Sequence, residues 1–68
     1  MNIDIRRSIK DNFKDSSLNE IEESINSSIK DKDEITLPGL GVFFEILWEY
    51  SNQEQKNYIL ETIQNNIK

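Results

Sequence analysis

The chain has 68 residues, a formal net charge of −5 and neither cysteine nor histidine. This length predicts one small domain over residues 1–68, and such a domain buries only about 60% of the surface that its unfolded chain exposes. The composition excludes a disulfide framework and removes the usual ligands of zinc and haem, so we expect neither metal nor cofactor. The negative charge disfavours broad binding to nucleic acid or to an anionic membrane.

The N-terminal stretch MNIDIRRSIK lacks the apolar segment of a secretory signal. A membrane-spanning helix needs about 20 apolar residues. The most apolar stretch, residues 35–48, is shorter and is interrupted by Glu45. We therefore expect a cytoplasmic protein with no membrane contact.

A first helix is predicted from about residue 3 to residue 14, because Ile5, Ile9 and Phe13 recur every four residues. The same segment carries a cluster of basic residues: Arg6, Arg7, Lys10 and Lys14. These four side chains could contact phosphates from one helix face. The alternative, which we favour, is a solvated basic face that pairs with acidic residues of this chain or of another.

A second helix is predicted within residues 15–30. Ser17 and Glu20 have the spacing of a capping box, in which each side chain binds the backbone N–H of the other residue. The apolar face of this helix consists of Leu18, Ile21, Ile25 and Ile29. Several serine and asparagine residues lower its intrinsic helicity, so we expect tertiary contacts to stabilise it.

The single proline and both glycines lie together at the centre of the chain. Pro38 disfavours a helical conformation of Leu37, and the glycines permit backbone angles that other residues resist. This pattern predicts a loop centred on Pro38. A phosphate-binding loop is disfavoured, because the segment from Gly39 to Gly41 is too short and lacks the required lysine.

A third helix is predicted from about residue 40 to residue 50, with one apolar face: Phe43, Ile46, Leu47 and Tyr50. A strand is the alternative, because apolar side chains also alternate over residues 42–48. We favour the helix, because a strand would place glutamates among large apolar groups on one of its faces. The chain also offers no clear partner strand.

Residues 42–50 contain more aromatic side chains than the buried face of one short helix can accommodate. We expect part of it to form a protein-interaction surface, and the candidate residues are Val42, Phe44, Trp48 and Tyr50. Such a surface would serve a homodimer or a complex with another protein.

A fourth helix is predicted after a second capping box, Ser51 with Glu54. Its apolar face consists of Ile59, Leu60, Ile63 and Ile67. The sequence thus predicts an all-α fold: a small bundle of about four short helices with a Pro/Gly loop at the centre of the chain. We expect Phe43, Ile46 and Leu47 to be buried, with a shell of apolar residues around them: Ile5, Ile9, Phe13, Ile21, Ile25, Ile59 and Ile63.

Catalytic chemistry has little support. The serines have no histidine to activate them. Glu45 and Glu49 could act as an acid and base only if burial separated their pKa values, and a solvated helix face is the simpler interpretation. The acidic residues Asp31, Asp33 and Glu34 lack the spacing of a calcium-binding loop. We therefore predict no catalytic residue and no enzyme.

Residues 37–57, LPGLGVFFEILWEYSNQEQKN, resemble the signature of the small acid-soluble spore protein I family of endospore-forming Firmicutes. The shared pattern is the Leu-Pro-Gly-Leu-Gly run at 37–41 together with Phe44, Glu45 and Trp48. The opening segment IDIRRSIKDNF is also similar to the start of family members. The resemblance covers nearly the whole chain.

This resemblance implies a minor, non-enzymatic protein of the forespore and spore core. We expect it to act by association with itself or with another spore-core protein. The alternative is a DNA-associated accessory protein that contacts phosphates through the basic first helix. The DNA-coating spore proteins form a different family, and the net charge of −5 disfavours such a role.

Overall fold

Four helices form the fold in a computed structural model that describes residues 4–31 and 34–67. They are α1 (Ile5–Phe13), α2 (Leu18–Asp31), α3 (Leu37–Glu49) and α4 (Gln53–Asn66), with a short 3-10 turn at Glu34–Thr36 before α3. The described ranges contain no strand, so the all-α prediction is confirmed. The helix favoured over a strand at residues 42–50 is confirmed as far as Glu49. Residue 3, the predicted start of the first helix, and Asp33 lie outside the described residues.

Side-chain caps fix the starts of the first two helices. The Asp4 carboxylate accepts a hydrogen bond from the Arg7 backbone N–H at 3.1 Å, which caps α1. The predicted capping box of α2 is confirmed. The Glu20 carboxylate accepts from the Ser17 N–H at 3.3 Å, and the Ser17 hydroxyl accepts from the Glu20 N–H at 3.2 Å.

The predicted Pro/Gly loop is wrong, because Pro38 and both glycines lie inside α3. Pro38 occupies the first turn of the helix, where backbone N–H groups have no intrahelical acceptor and proline is tolerated. The break between the two halves of the chain lies earlier, at the 3-10 turn. The Thr36 hydroxyl there donates to the Ser28 carbonyl at 3.4 Å and ties the turn to α2.

Neither glycine serves an unusual backbone conformation, and only Gly39 lies at a close contact between helices. Neither Gly39 nor Gly41 adopts a left-handed φ. A Cβ atom built on Gly39 would lie 3.4 Å from Cδ1 of Ile9, so the small residue lets α1 approach α3. A Cβ atom on Gly41 would meet nothing within 4 Å.

The cap of α4 lies one residue later than predicted. The Asn52 side chain accepts from the Gln55 N–H at 2.8 Å, and the Gln55 side chain accepts from the Asn52 N–H at 2.9 Å. These two bonds form a complete capping box. The predicted pair of Ser51 and Glu54 is therefore wrong, and the Ser51 hydroxyl instead donates to the Leu47 carbonyl.

Helix α3 is the centre of the fold, since it contacts α1, α2 and the 3-10 turn. The predicted core is only partly correct. Among the described residues the one buried apolar side chain is Val42, at 4% exposure. Phe43 and Ile46 are half-buried, while Leu47 is 50% exposed. The packed face of α3 runs through Gly39 and Val42, where α1 approaches, and this turns Leu47 outward.

The predicted shell around α3 is also incomplete. Ile5 and Ile63 are exposed at 44% and 41%. The other shell residues are half-buried: Ile9, Phe13, Ile21, Ile25 and Ile59. The helices therefore pack loosely, and these apolar side chains stay partly accessible to solvent.

The molecule is expanded for its size. Its radius of gyration is 13.3 Å, whereas a compact chain of this length has about 11 Å. Its accessible surface is 6229 Å², against about 4,400 Å² for a folded monomer of this mass. Many apolar side chains thus remain exposed along the chain, and some of them, such as Phe44 and Leu47, border a groove.

Candidate functional site

An open apolar groove of about 590 Å³ lies between α1, α2 and α3. Nine of its lining side chains are apolar: Ile9, Phe13, Ile21, Ile25, Leu40, Phe43, Phe44, Ile46 and Leu47. Lys10 and Lys14 complete the lining from α1. We call this feature the apolar groove.

An aromatic pair joins two walls of the apolar groove. The rings of Phe13 on α1 and Phe43 on α3 have centroids 5.1 Å apart and planes at 75°. This edge-to-face arrangement is the one that aromatic quadrupoles favour. Both rings also line the groove, so the contact connects α1 and α3 within it.

The four basic residues predicted as phosphate contacts lie in two different environments. Arg6 Nε lies 2.9 Å from Glu45 Oε2, and this hydrogen bond together with the carboxylate charge raises the pKa of Arg6. Arg7 Nε lies 3.9 Å from Asp11 Oδ2, one helical turn away. The structure thus gives both arginines carboxylate partners, which weakens the phosphate-contact hypothesis.

The two lysines are placed differently from the arginines. Lys10 and Lys14 border the apolar groove. Over residues 4–31 and 34–67, neither of them forms an ion pair. The groove therefore combines an apolar lining with positive charge along α1.

The four residues predicted as a protein-interaction surface separate into different environments. Val42 is buried inside the chain, so it cannot belong to such a surface. Its side chain lies on the packed face of α3, where sequence periodicity placed Phe43 and Leu47. Phe44 is 42% exposed and borders the groove, whereas Tyr50 is 81% exposed at the end of α3.

Trp48 stands at the junction of α3 and α4. Its ring stacks on Phe44 at 6.1 Å and 25°. The Lys56 ammonium of α4 lies 5.1 Å from the Trp48 ring centroid, which is within the range of a cation–π contact. A second hollow of about 320 Å³ lies beside this junction and is bordered by Phe44, Trp48 and Leu60.

Apolar side chains of α4, and Ile67 directly after it, are exposed to solvent. Tyr58, Leu60, Ile63 and Ile67 are exposed at 72%, 50%, 41% and 76%. Helix α4 contributes no buried residue. Its contacts with the other helices are sparse.

Sequence patterns missed two leucines of the site. Leu40 was assigned no role and Leu47 was predicted to be buried, yet both line the apolar groove. The available signal was the excess of apolar residues over the capacity of one small core. This excess indicated that some apolar surface stays exposed, but it did not indicate which residues form that surface.

Neither a metal cluster nor a membrane segment occurs in the part of the chain that the structure describes. No three acidic side chains converge there as potential metal ligands. None of its helices combines the length and apolar character that crossing a membrane requires. Glu45, one of the two glutamates considered for acid–base chemistry, binds Arg6 instead.

Known proteins give a consistent assignment. The family profile described as small, acid-soluble spore protein I matches residues 3–67. A protein of that name from Halalkalibacterium halodurans is 37% identical over 68 residues, which cover 100% of both chains. Those of Geobacillus kaustophilus and Bacillus subtilis are 34% and 31% identical over all of this chain and over 99% and 96% of their own lengths.

No solved structure matches this chain. The family profile spans all but the first two residues and the last one. The resemblance inferred from the central LPGLG segment is confirmed. The chain belongs to the small acid-soluble spore protein I family.

Proposed function

We propose that this chain is a non-enzymatic protein of the forespore and spore core, and that it acts by binding another protein chain through the apolar groove. The observation that carries this proposal is the groove itself, open and lined by nine apolar side chains. Burial of this lining against the apolar side chains of a partner would remove apolar surface from water, which favours association.

The composition of the groove favours association over catalysis. Its only ionisable lining groups are Lys10 and Lys14, and the sequence supplies no histidine or cysteine. A lysine pair without an acid or a nucleophile beside it offers no proton relay. An apolar lining with a charged border is instead the usual composition of a protein interface.

The alternative DNA-associated role has weaker support. Arg6 and Arg7 lie against carboxylates, which leaves Lys10 and Lys14 as the basic residues of α1 without an ion pair among the described residues. Two phosphate contacts would give a slope of about −2 in log K against log salt, and little affinity. In a titration with duplex DNA we expect no binding at moderate salt. Tight, salt-sensitive binding that is lost in a Lys10→Gln/Lys14→Gln variant would favour the DNA role.

A matched pair of leucine variants tests the proposal. Leu47 borders the groove and is 50% exposed, whereas Leu18 begins α2 outside the groove and is 85% exposed. A Leu47→Asp variant should keep its helical circular dichroism and lose association, because a charge enters the apolar surface. A Leu18→Asp variant should behave like the wild type.

The measurement is sedimentation velocity of labelled protein, alone at high concentration and in a spore-core extract. We expect the wild type to form species larger than 8.0 kDa in at least one of these conditions, and Leu47→Asp to remain a monomer in both. A monomeric wild type in both conditions would overturn the proposal. So would a Leu47→Asp variant that associates as tightly as the wild type.

A further inference from the structure

We infer that the groove is covered by a second copy of this chain, and that each copy lays the C-terminal half of α4 into the apolar groove of its partner. This inference rests on the proposed function and specifies its partner. The resulting assembly is a two-fold symmetric dimer. In it, the α4 helix of each copy lies in the groove of the other copy.

Helix α4 lacks the tertiary contacts that a helix of its length needs. It has 14 residues, and isolated helices of about 12–15 residues are marginal in water. Ile67 is the C-cap of α4, lies four residues after Ile63, and is 76% exposed. Burial of the apolar face of α4 against another apolar surface would stabilise the helix, and the groove is such a surface.

The exposed area matches the requirement of a dimer. The accessible surface of 6229 Å² exceeds that of a compact monomer of this mass by roughly 1,800 Å². A stable interface buries about 800 Å² on each partner. The excess surface of one copy is therefore larger than one side of such an interface.

The groove and α4 are neighbouring parts of one continuous apolar strip. Leu47 borders the groove and also a hollow formed with Tyr58 and Ile59 of α4. Phe44 borders the groove and also the hollow that contains Leu60. A two-fold axis close to Leu47 would therefore set the groove of each copy against the α4 helix of the other.

The charges of the two surfaces also complement each other. Lys10 and Lys14 bring positive charge to the groove and have no ion-pair partner within the described residues. The last turn of α4 contains no basic residue. Its free carbonyl groups carry the negative end of the helix dipole, and lysines are favourable beside such an end. The partner's groove supplies these lysines.

The first measurement is the dimer dissociation constant by analytical ultracentrifugation of the purified full-length chain. Ile67→Asp should weaken the dimer by about 1,000-fold, because each of the two symmetric sites loses an isoleucine whose burial is worth about 30-fold. Leu18→Asp is the matched control, since Leu18 is even more exposed and lies outside both surfaces. Circular dichroism of both variants at low concentration checks that the helices persist.

The second measurement is disulfide trapping, which the absence of native cysteine makes specific. In a mixture of Lys14→Cys and Ile67→Cys chains, mild oxidation should join cysteine 14 of one chain to cysteine 67 of the other. The control replaces the first chain with Ser27→Cys, because Ser27 is exposed on α2 and does not border the groove. This control pair should cross-link at least about tenfold less, since a disulfide needs Cα atoms within about 7 Å.

The outcomes separate the inference from the proposed function. A dimer that tolerates Ile67→Asp and gives no 14–67 disulfide would overturn the α4 arrangement and leave association intact. In another outcome, the wild-type chain stays monomeric when pure and a different spore protein or an acyl lipid occupies the groove. This result would overturn the inference that a second copy of the chain occupies it. The absence of any association would overturn both.

Discussion

Helices α3 and α4 have nearly the same length, 13 and 14 residues, yet they are stabilised in opposite ways. Helix α3 contains a proline and two glycines and has no side-chain cap at its start. It is held by contacts with α1, α2 and the 3-10 turn. Helix α4 begins with a complete capping box and has few tertiary contacts.

The difference shows that local signals and packing can stabilise neighbouring helices independently. Proline and glycine are the poorest helix formers, so α3 depends on the burial of Val42 and on the aromatic contact of Phe43. Helix α4 has its own side-chain cap, but its apolar face is only partly covered within the chain. A change in α3 should therefore affect the whole fold, and a change at the start of α4 should stay local.

The largest expected effect is that of Phe43→Ala. It removes the ring that meets Phe13 at 5.1 Å, and we expect a loss of about 2–3 kcal/mol in the free energy of unfolding, below the range for a fully buried phenylalanine. Domains of this size have only a few kcal/mol of stability, so most of the protein should unfold. Urea denaturation at one low protein concentration measures this loss.

Phe44→Ala is the matched control for that experiment. Phe44 is the next residue on α3 and is 42% exposed, so its truncation should cost less than half as much. If Phe44→Ala were the more damaging change, the assignment of the packed face of α3 would be incorrect.

A smaller, local effect is expected for Asn52→Ala, which removes the side-chain acceptor of the Gln55 N–H and leaves the Gln55 side chain bonded to the backbone N–H of residue 52. Loss of such a cap costs about 1 kcal/mol. Amide hydrogen exchange should quicken in the first turns of α4 and stay unchanged in α1–α3. Ser51→Ala serves as the control, because it removes only the hydroxyl bond to the Leu47 carbonyl at the end of α3 and leaves the cap of α4 intact. An equal loss of protection in α1–α3 would contradict the independence of α4.

A gain in stability is expected for Gly41→Ala. Alanine is favoured over glycine inside a helix by about 0.8–1 kcal/mol, and a Cβ atom at this position meets nothing within 4 Å. Thermal denaturation should show a higher Tm. Gly39→Ala should gain less, because its Cβ atom would contact Ile9 at 3.4 Å. A loss of stability in Gly41→Ala would mean that another surface covers this part of α3.

The smallest effect is expected for Arg6→Gln, which breaks an exposed ion pair between α1 and α3. Glu45 raises the pKa of Arg6 in the folded state. A raised pKa stabilises the fold at every pH below the unfolded value, and this contribution is lost only as pH rises through the folded value. Titration of Arg6 should thus add no pH dependence between about pH 6 and about pH 9.

Salt and a matched variant provide the check on Arg6. Denaturation midpoints of the wild type and Arg6→Gln should converge as salt increases, because the ion pair is screened. Arg7→Gln, whose pair with Asp11 is longer at 3.9 Å, should change the midpoint less. A large and salt-independent loss in Arg6→Gln would show that the side chain has another structural role.

The sequence predicted the helices well and their contacts less well. The capping box of α2 was confirmed because Ser17 and Glu20 act within one turn of chain. The loop predicted at Pro38 was wrong because proline is tolerated in the first turn of a helix as well as in a loop. The cap of α4 was displaced by one residue because serine and asparagine are both good caps.

By itself, the sequence determined the family, the all-α class and an excess of apolar surface, because these depend on residue types and short spacings. Only the tertiary structure decided that Val42 is buried and Leu47 exposed, since the direction from which α1 approaches α3 is set by contacts between distant residues. It also placed the lysines beside an open groove and the arginines beside carboxylates. Helical periodicity gives the faces of a helix but cannot tell which neighbour each face will meet.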